Sequence, residues 1–254
     1  MLIIDPLLKG VSFRSEAGSC SACSVTLVRG EKLTLVDTGH AGQRQALTAA
    51  LLERGLTPSD IDVTVLTHSH WDHSQNHDAF PESSLLIHRD ELRYARNPHR
   101  NDWATPRWTS AMLEFESRLE EVEDGYEIEP GVRIMDIRGH SAGTIAVAVD
   151  TDDGLATITG DGLQDVAVAL SGVNPLVFWD EDAARKGIAR VLETAETIYP
   201  GHDHPFRLVG GKAEYLGPKQ LKLFGISLEG DGVAVDPAPR MPYVMQGIEE
   251  QRLD

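Results

Sequence analysis

Three histidines and an aspartate lie close together in the stretch "THSHWDH", which directly follows the apolar run "VTVL". Imidazole and carboxylate groups are the ligands that zinc and several other divalent metals prefer. His68 and His70 are two residues apart at the end of a predicted strand, so their side chains point the same way and can hold one ion together. Asp72 and His73 come on the following turn and point to an adjacent position. One ion cannot take all four ligands from so short a stretch, so the spacing predicts two neighbouring metal ions.

Two neighbouring ions require further ligands, and three residues in a matching context occur downstream. Each follows a predicted strand and comes directly after a glycine, whose backbone can turn tightly and approach other groups closely. They are His140 in "RGHSAG", Asp161 in "TGDG" and His202 in "YPGHDHP". With the first four residues they give five histidines and two aspartates, all at strand ends. This set is sufficient for a binuclear metal site.

The elements that must position these ligands alternate along the chain. Short apolar runs predict strands at "SVTLV", "KLTLV", "IDVTVL", "SLLIH", "VRIMDI", "TIAVAV", "LATIT" and "TIY". Apolar residues three or four apart predict helices around Leu47–Leu51 and Ala184–Leu192, with a shorter helix at "RDELRYA". Strands in both halves of the chain, with helices between them, predict two sheets covered by helices, which is a layered α/β fold.

Residues 97–125 interrupt this pattern. They begin with a polar loop that contains prolines, Trp103 and Trp108. Apolar residues then fall on one predicted helical face, namely Met112, Phe115, Leu119 and Val122. We expect an inserted loop and an amphipathic helix, which either packs on the core or forms a lid or substrate wall.

The length and pattern of the whole chain predict a single domain over residues 1–254. This domain has the insertion near 97–125 and a C-terminal extension near 206–254. The extension is rich in glycine and proline and contains the apolar stretch "LKLFGISL". It either caps the domain or mediates contact between the subunits of a homodimer.

The composition favours a protein that acts on small molecules. The formal net charge is −17, so a phosphate backbone would be repelled, and nucleic acid is not an expected partner.

No run approaches the roughly 18 apolar residues of a membrane span. The start "MLIIDPLLKG" lacks the basic region and the cleavage site of a secretion signal, so we expect a cytoplasmic protein.

Cys20 and Cys23 are spaced as in a redox pair or half of a zinc knuckle. A zinc knuckle needs a second ligand pair nearby, and none follows. A redox pair would open a helix, whereas the next residues, "SVTLV", predict a strand. We expect two ordinary thiols in a turn, in a reducing compartment.

The ordered motifs "LVDTG", "THSHWDH", "GHSAG", "GD" and "GH" resemble those of the metallo-β-lactamase superfamily over roughly residues 20 to 205. The resemblance implies an αββα sandwich of two mixed β-sheets flanked by helices, with the metals at one edge. In the family's pattern, His68, His70 and His140 hold one ion, Asp72, His73 and His202 hold the other, and Asp161 bridges the two. Asp37, in "LVDTG", is then a supporting or turn residue rather than a ligand.

The chemistry that this resemblance implies is hydrolysis of an acyl bond. Two divalent ions, most simply Zn²⁺, with Mn²⁺ or Fe²⁺ as alternatives, share a water and lower its pKa, and the resulting hydroxide attacks the substrate. Asp72 is the catalytic carboxylate that orients the hydroxide or passes a proton to the leaving group. We expect a lactonase-like hydrolase that cleaves a lactone or another ester of a small molecule.

Other branches of the superfamily fit the sequence less well. Thioesterases of the glyoxalase II type carry a basic C-terminal site, and "GGKAEYLGPKQLK" holds only three lysines. Persulfide dioxygenases use one iron on the equivalents of His68, His70 and His140, and the complete second ligand set argues against that reading. β-Lactamases of the superfamily usually lack an aspartate at the position of Asp161, and nucleases fit poorly with the acidic charge.

Two residues near the predicted ligands leave alternatives open. Acyl-homoserine lactonases usually carry a tyrosine three residues after the bridging aspartate, where this chain has Gln164. The amide of Gln164 either donates a hydrogen bond to the substrate oxyanion or lies at the surface. For Trp71, which stands between two ligands, we expect packing rather than contact with substrate.

Overall fold

Two mixed β-sheets face each other in the computed structural model, which describes residues 1–15 and 18–222. The strands are β1 (Ile3–Leu8), β2 (Val11–Ser15), β3 (Gly18–Ala22), β4 (Val25–Arg29), β5 (Leu33–Val36), β6 (Val63–Val65), β7 (Ser84–His88), β8 (Leu119–Val122), β9 (Glu127–Glu129), β10 (Val132–Asp136), β11 (Ile145–Thr151), β12 (Gly154–Gly160), β13 (Thr197–Pro200), β14 (Phe206–Val209) and β15 (Lys212–Tyr215). The helices are α1 (Arg44–Leu52), α2 (Trp71–Ser74), α3 (Arg89–Arg96), α4 (Trp108–Glu114), α5 (Val166–Ser171) and α6 (Glu181–Thr194).

The first sheet has the order β1-β4-β5-β6-β7-β8 and the second the order β15-β14-β13-β12-β11-β10-β9. In the first sheet, β5 to β8 run parallel, and β1 and β4 add antiparallel pairs. In the second sheet only β12 and β13 pair in parallel. A separate hairpin, β2-β3, lies outside both sheets.

The core between the sheets follows from the alternation of side chains along each strand. In β11, Ile145, Val147 and Val149 point between the sheets, whereas Ala146 and Ala148 point to the helices on the other side. The same alternation puts Val28 of β4 inside and Leu27 outside. Because both faces of these strands are buried, their sequences read as nearly continuous apolar runs.

Helices cover the outer face of each sheet. On the first sheet, α1 buries Leu47 and Leu51 against Leu27 and Leu35. On the second sheet, α5 and α6 bury apolar side chains such as Val168 and Ile188. The arrangement of helix, sheet, sheet and helix confirms the αββα sandwich that the motifs predict.

One edge of the sandwich collects the chain segments that carry the predicted ligands. Strands β10, β12 and β13 point the same way, so their carboxyl ends share one edge of the second sheet. The chain after β6 meets this edge from the first sheet, where the backbone N–H of Ile145 donates to the carbonyl of Thr67 over 2.9 Å. The sheets are therefore joined by backbone at the place where the ligands follow.

Two glycines that precede predicted ligands sit where no other residue fits. Gly139 has φ +136°, and a Cβ there would lie 2.2 Å from the backbone nitrogen of Ala184 in α6. Gly160 has φ +48°, and a Cβ there would lie 2.3 Å from Oγ1 of Thr67. Since these conformations and contacts exclude a side chain, the glycines set the path of the chain into His140 and Asp161.

The helix predicted over residues 112–122 is wrong in its second half. Helix α4 ends at Glu114, and residues 119–122 form strand β8, which pairs in parallel with β7. Phe115, expected on the packed face, is 89% exposed. The apolar spacing of the segment is compatible with either a helix or a strand, and pairing with β7 at the edge of the first sheet favours the strand.

The C-terminal segment is described only in part. Strands β14 and β15 extend the second sheet. Of the apolar stretch at 221–228, only Leu221 and Lys222 are described, so the predicted cap or homodimer contact lies largely outside the described residues. Among the described residues, no helix has the length and apolar character needed to cross a membrane.

Replacing Gly139 by alanine should destabilise the fold strongly. Its φ is open essentially to glycine alone, and the new methyl group would collide with backbone, so we expect a loss of about 3 kcal/mol or more in the free energy of unfolding. Gly172→Ala is the matched control, because Gly172 has φ +69° but nothing within 4 Å of a Cβ. It should cost only about 1–2 kcal/mol. Equal losses in urea unfolding of the two variants would contradict the close-approach argument.

Candidate metal centre

The seven predicted ligands come together in one buried group at the shared edge of the sheets. His68 and His70 lie after β6, and Asp72 and His73 lie in the short helix α2. His140 follows β10, Asp161 follows β12 and His202 follows β13, as their sequence positions require. The side chains of His202 and Asp72 are 7% and 10% exposed, and the other five residues are at most 4% exposed. Residues up to 134 positions apart in the chain thus share one site, since 202 minus 68 is 134.

One half of the group consists of His68, His70, His140 and Asp161, whose nearest ligand atoms all lie within 4.8 Å of one another. Nε2 of His140 is 3.1 Å from Nδ1 of His70 and 3.8 Å from Oδ2 of Asp161. Nε2 of His68 is buried and has no hydrogen-bond partner. A buried polar atom without a partner is costly, and a metal ion held by these rings would remove that cost. The donor set therefore fits a divalent metal.

The other half consists of Asp72, His73 and His202, which form a second group of potential ligands. Nε2 of His202 is 3.4 Å from Oδ2 of Asp72 and 3.3 Å from Nε2 of His73. Oδ1 of Asp161 lies 3.2 Å from Nε2 of His202 and 3.3 Å from Nε2 of His73, yet makes no hydrogen bond of good geometry to either. The two carboxylate oxygens of Asp161 thus face the two halves of the site.

Asp37 holds two neighbouring ligands in place without facing the centre itself. Its Oδ2 lies 2.7 Å from Nδ1 of His73, and its two oxygens accept the backbone N–H and the hydroxyl of Thr67. Oγ1 of Thr67 is in turn 3.0 Å from Nδ1 of His68. A carboxylate on Nδ1 fixes the ring and leaves Nε2 for a metal. Asp37 is held at φ +59°, an uncommon conformation for a residue with a side chain.

Cys23, Asp37 and His73 also lie close enough together to suggest a different metal position. Both oxygens of Asp37 already accept hydrogen bonds, so its carboxylate has little capacity left for an ion. Burial raises the pKa of the Cys23 thiol well above its ordinary value, which keeps it protonated. Cys20 is exposed, and neither cysteine forms a disulfide. This group supports His73 rather than binding metal.

Asp102 is a supporting residue that sequence reasoning missed. Its carboxylate lies 3.3 Å from Nε2 of His70, on the side of the ring away from His140. It also accepts the hydroxyls of Tyr94 (2.8 Å) and Thr105 (2.7 Å) and two backbone N–H groups. The segment 97–125 therefore contributes to the metal centre itself. The only sequence signal was an aspartate within an otherwise basic loop.

Glu91, at the start of α3, is a second supporting residue that sequence reasoning missed. It is fully buried and accepts four hydrogen bonds. One oxygen takes the backbone N–H and hydroxyl of Ser69, and the other takes the hydroxyl of Ser141 and the N–H of Gly143. Ser69 stands between His68 and His70, and Ser141 follows His140. The carboxylate therefore ties together the two loops that carry the first three histidines.

The last two histidines are oriented by backbone and hairpin contacts. Nδ1 of His140 lies 2.5 Å from the carbonyl of Leu176. Nδ1 of His202 lies 3.1 Å from the hydroxyl of Ser21 and 3.2 Å from the carbonyl of Ala22, both in β3. Each of the five histidines thus has a support on the nitrogen that faces away from the centre.

Burial and neighbouring charges lower the pKa of two of the five histidines and raise the pKa of the other three. Burial, together with neighbouring histidines, lowers the pKa of His68 well below its ordinary value and that of His140 to about 4. For His70, burial disfavours the charged ring, but Asp102 outweighs it and raises the pKa. Nearby acidic groups likewise outweigh burial at His73 and His202. Before metal binds, protons therefore compete for the rings beside the carboxylates.

A cavity of about 280 Å³ opens onto the centre. Its walls include Trp71, Trp103, Leu176 and Phe178 among apolar side chains, and Ser21, Gln164 and Asp165 among polar ones, together with five of the predicted ligands. Trp71 thus lines the cavity, whereas the sequence favoured packing. Gln164 is 9% exposed, and its amide makes no hydrogen bond to any described residue. It belongs to the cavity wall rather than to the outer surface.

Comparison with known proteins gives one family and several relatives. A family model described as the metallo-beta-lactamase superfamily matches residues 18–202. Metallo-beta-lactamase domain-containing protein 1 of Mus musculus is 32% identical over 205 residues, which are 79% of this chain and 70% of that protein. An N-acyl homoserine lactonase of Bacillus cereus is 24% identical over 168 residues, 63% of each chain.

Solved structures share the fold at low sequence identity. A "probable metal-dependent hydrolase" from Staphylococcus aureus superposes with a TM-score of 0.71 at 18% identity, covering 87% of this chain and 98% of that one. A variant of the Bacillus thuringiensis lactonase AiiA, with N-decanoyl-L-homoserine bound at its active site, gives a TM-score of 0.63 at 20% identity, covering 80% and 92%. These likenesses support the fold assignment.

Replacing Asp102 by asparagine should weaken metal binding at the first half of the site. His70 would lose the negative charge that supports its ring, and loss of such a support typically costs about 10–100-fold in metal affinity. Competition with a chelator measures the affinity. Asp182→Asn is the control, because the Asp182 side chain is 84% exposed and far from any predicted ligand in sequence. Unchanged affinity in the Asp102 variant would remove its supporting role.

Proposed function

The chain belongs to the metallo-β-lactamase superfamily and is a metal-dependent hydrolase, and we propose that it uses two divalent metal ions to cleave an ester or lactone bond of a small molecule. One observation carries this proposal: the two oxygens of Asp161 face two separate groups of histidines. A bridging carboxylate between two complete ligand sets is expected for a pair of ions and is superfluous for a single one.

The donor types favour zinc at both positions, with Mn²⁺ or Fe²⁺ as alternatives. His68, His70 and His140 would hold one ion, and Asp72, His73 and His202 the other, with Asp161 common to both. Two divalent ions at this site would supply Lewis acidity toward a carbonyl oxygen and a nucleophile derived from water at neutral pH.

Asp72 is the carboxylate that we assign to proton transfer. It lines the cavity, and its Oδ2 is the oxygen that faces His202. A carboxylate placed between a predicted ligand and the cavity can accept a proton from the attacking water and deliver it to the leaving group. The short helix α2 holds Asp72 and His73 as successive residues, which fixes the carboxylate relative to the second ligand set.

We assign Gln164 to binding the oxygen of the substrate carbonyl. It follows Asp161 by three residues, at the start of the loop after β12, and its free amide belongs to the same cavity wall. An N–H donor that is already oriented stabilises negative charge on that oxygen without reorganising in the transition state. This is the role that the sequence left open against a surface position.

The shape and lining of the cavity support a small acyl substrate. Trp71, Trp103 and Phe178 offer apolar surface for an acyl chain, while the ligands and Gln164 lie on the polar side. The lactonases among the relatives act on N-acyl homoserine compounds, which have this division into a polar ring and an acyl chain. A lactone or related ester of a small molecule, met in the cytoplasm, is the substrate class we propose.

The two alternative activities are each disfavoured by specific contacts. A glyoxalase II-type thioesterase would need a basic C-terminal site, whereas this segment holds only three lysines, of which Lys219 is already paired with Asp203 over 2.6 Å. A dioxygenase with one iron would need no second ligand set. Here His73 and His202 are both buried and supported by Asp37 and Ser21.

Elemental analysis of the purified protein tests the number of ions. We expect about two divalent ions per chain, as two complete ligand sets imply. Asp161→Asn should lower the content at both positions, because the bridge is shared. Asp165→Asn is the control: it changes another carboxylate of the same cavity wall and keeps a good helix-capping residue. A single iron with oxygen consumption on a persulfide would replace the hydrolase with the dioxygenase.

Replacing Gln164 by leucine should slow hydrolysis without loss of metal. Removing one oxyanion donor costs about 10²–10³-fold in kcat in enzymes that rely on such a donor. For a lactone substrate we expect kcat to decrease by an amount at the lower end of this range, while the metal content stays unchanged. Gln164→Tyr restores a donor of the type found in lactonases and should recover part of the rate. Equal rates for the wild type and the leucine variant would remove Gln164 from the mechanism.

A further inference from the structure

A second cavity, of about 500 Å³, lies next to the first and is lined by three arginines, Arg96, Arg100 and Arg107. We call it the arginine cavity. Trp103 lines both cavities, so they adjoin at this residue. Asp102, also on the wall of the arginine cavity, contacts the predicted ligand His70. The arginine cavity is therefore separated from the metal centre by the thickness of one residue.

The positive charge of this cavity is exceptional in an acidic chain. The formal net charge is −17, yet residues 93–107 contain four arginines and a single acidic residue, Asp102. Such a local excess costs free energy through mutual repulsion of the arginines unless an anion offsets it. If these arginines belonged to an ordinary solvated surface with mixed charges, each of them would have an acidic partner nearby.

Those partners are missing for two of the three arginines. Arg96 pairs with Glu114 over 2.7 Å. The guanidinium groups of Arg100 and Arg107 form no ion pair or side-chain hydrogen bond with any residue in the described ranges 1–15 and 18–222. Both side chains belong to exposed residues on the cavity wall. Two cations are thus available to an incoming ligand.

The only carboxylate on the same wall does not neutralise them. Asp102 is 7% exposed and accepts hydrogen bonds from Tyr94 and Thr105 as well as from backbone, besides its contact with His70. The Asp102 charge is therefore directed inward to the metal centre, and the arginine charge remains facing the cavity.

We propose that Arg100 and Arg107 bind an anionic group, a carboxylate or a phosphate, on the substrate of the metal centre. The guanidinium fork matches the paired oxygens of either anion. The substrate would place its scissile bond beside Gln164 and extend past Trp103 to the arginines. A single anionic group is favoured over a polyanion, because the strongly negative surface elsewhere repels a long phosphate backbone. This inference rests on the proposed hydrolase function and narrows its substrate class.

The test compares esters that differ only in a terminal charge. The substrates are p-nitrophenyl pentanoate, the mono-p-nitrophenyl ester of glutaric acid, and the p-nitrophenyl ester of 4-phosphonobutanoic acid. The enzymes are the metal-loaded wild type, Arg100→Gln/Arg107→Gln, and the control Arg44→Gln/Arg185→Gln. The control changes the net charge equally at exposed arginines of α1 and α6, both of which already pair with acidic residues.

We expect the wild type to prefer an anionic ester through a lower KM. An exposed ion pair is worth up to about fivefold in affinity, so loss of both arginines should reduce the preference by about tenfold. The control should keep the preference, and 0.5 M NaCl should reduce it in the wild type because exposed charges are screened. A larger effect with the glutarate or with the phosphonate ester identifies the anion. An unchanged preference in the Arg100/Arg107 variant, or no preference in the wild type, would overturn the inference.

Failure of the hydrolase proposal would be recognised separately. In that case, none of the three esters would be cleaved faster by the metal-loaded protein than by the chelator-treated protein. Calorimetric titration with glutarate would then decide the anion site alone. A dissociation constant about tenfold higher in the Arg100/Arg107 variant than in the control supports the site, and equal constants refute it.

Discussion

The structure depends on the burial of five histidine rings where two sheets meet. Rings packed this closely cannot all carry a proton, because each charge disfavours the next, and they cannot all remain neutral without leaving ring nitrogens unpartnered. Nε2 of His68 shows the second problem, since it is buried and has no hydrogen-bond partner. A bound metal ion would remove both problems, because it accepts the lone pairs of the free ring nitrogens and takes the place of the protons. Asp161 lies between the two groups of rings, and one of its oxygens faces each group.

The supports around the rings explain how a loop-rich edge is kept in order. Asp37 fixes His73, Asp102 fixes His70, and the buried carboxylate of Glu91 joins the two loops that carry the first three histidines. Asp37 follows β5, Glu91 lies in α3 and Asp102 lies in the loop before α4, so the support of the site requires all three of these segments. The segment 97–125 is more than a cover, since it provides Asp102 on its inner side and the arginine cavity on its outer side. Its position couples the metal centre to the surface that a substrate would meet.

The sandwich and the grouping of the seven candidate ligands could both be predicted from the sequence, for two reasons. Continuous apolar runs such as that of β11 indicate burial on two faces, and strand-end motifs with glycine indicate the edge where chain segments meet. The helix expected through residues 112–122 failed because β8 forms by pairing with β7, a tertiary interaction that local spacing does not contain. Asp102 and Glu91 were missed for a similar reason. A single acidic residue in a loop or helix gives no periodic signal, and its role exists only after distant segments are brought together. Trp71 was assigned to packing because its position between ligands does not reveal the short helix that turns it to the cavity.

The central claim, that Asp161 joins two ions, is tested most directly by anomalous diffraction from a crystal of the zinc-loaded protein, with data collected on both sides of the zinc absorption edge. The account predicts two anomalous peaks about 3.5–4 Å apart, the typical spacing in two-metal sites, with one Asp161 oxygen on each. His68, His70 and His140 should surround one peak, and Asp72, His73 and His202 the other. A single peak on the first three histidines, with Asp161 turned away and the second group empty under saturating zinc, would contradict it.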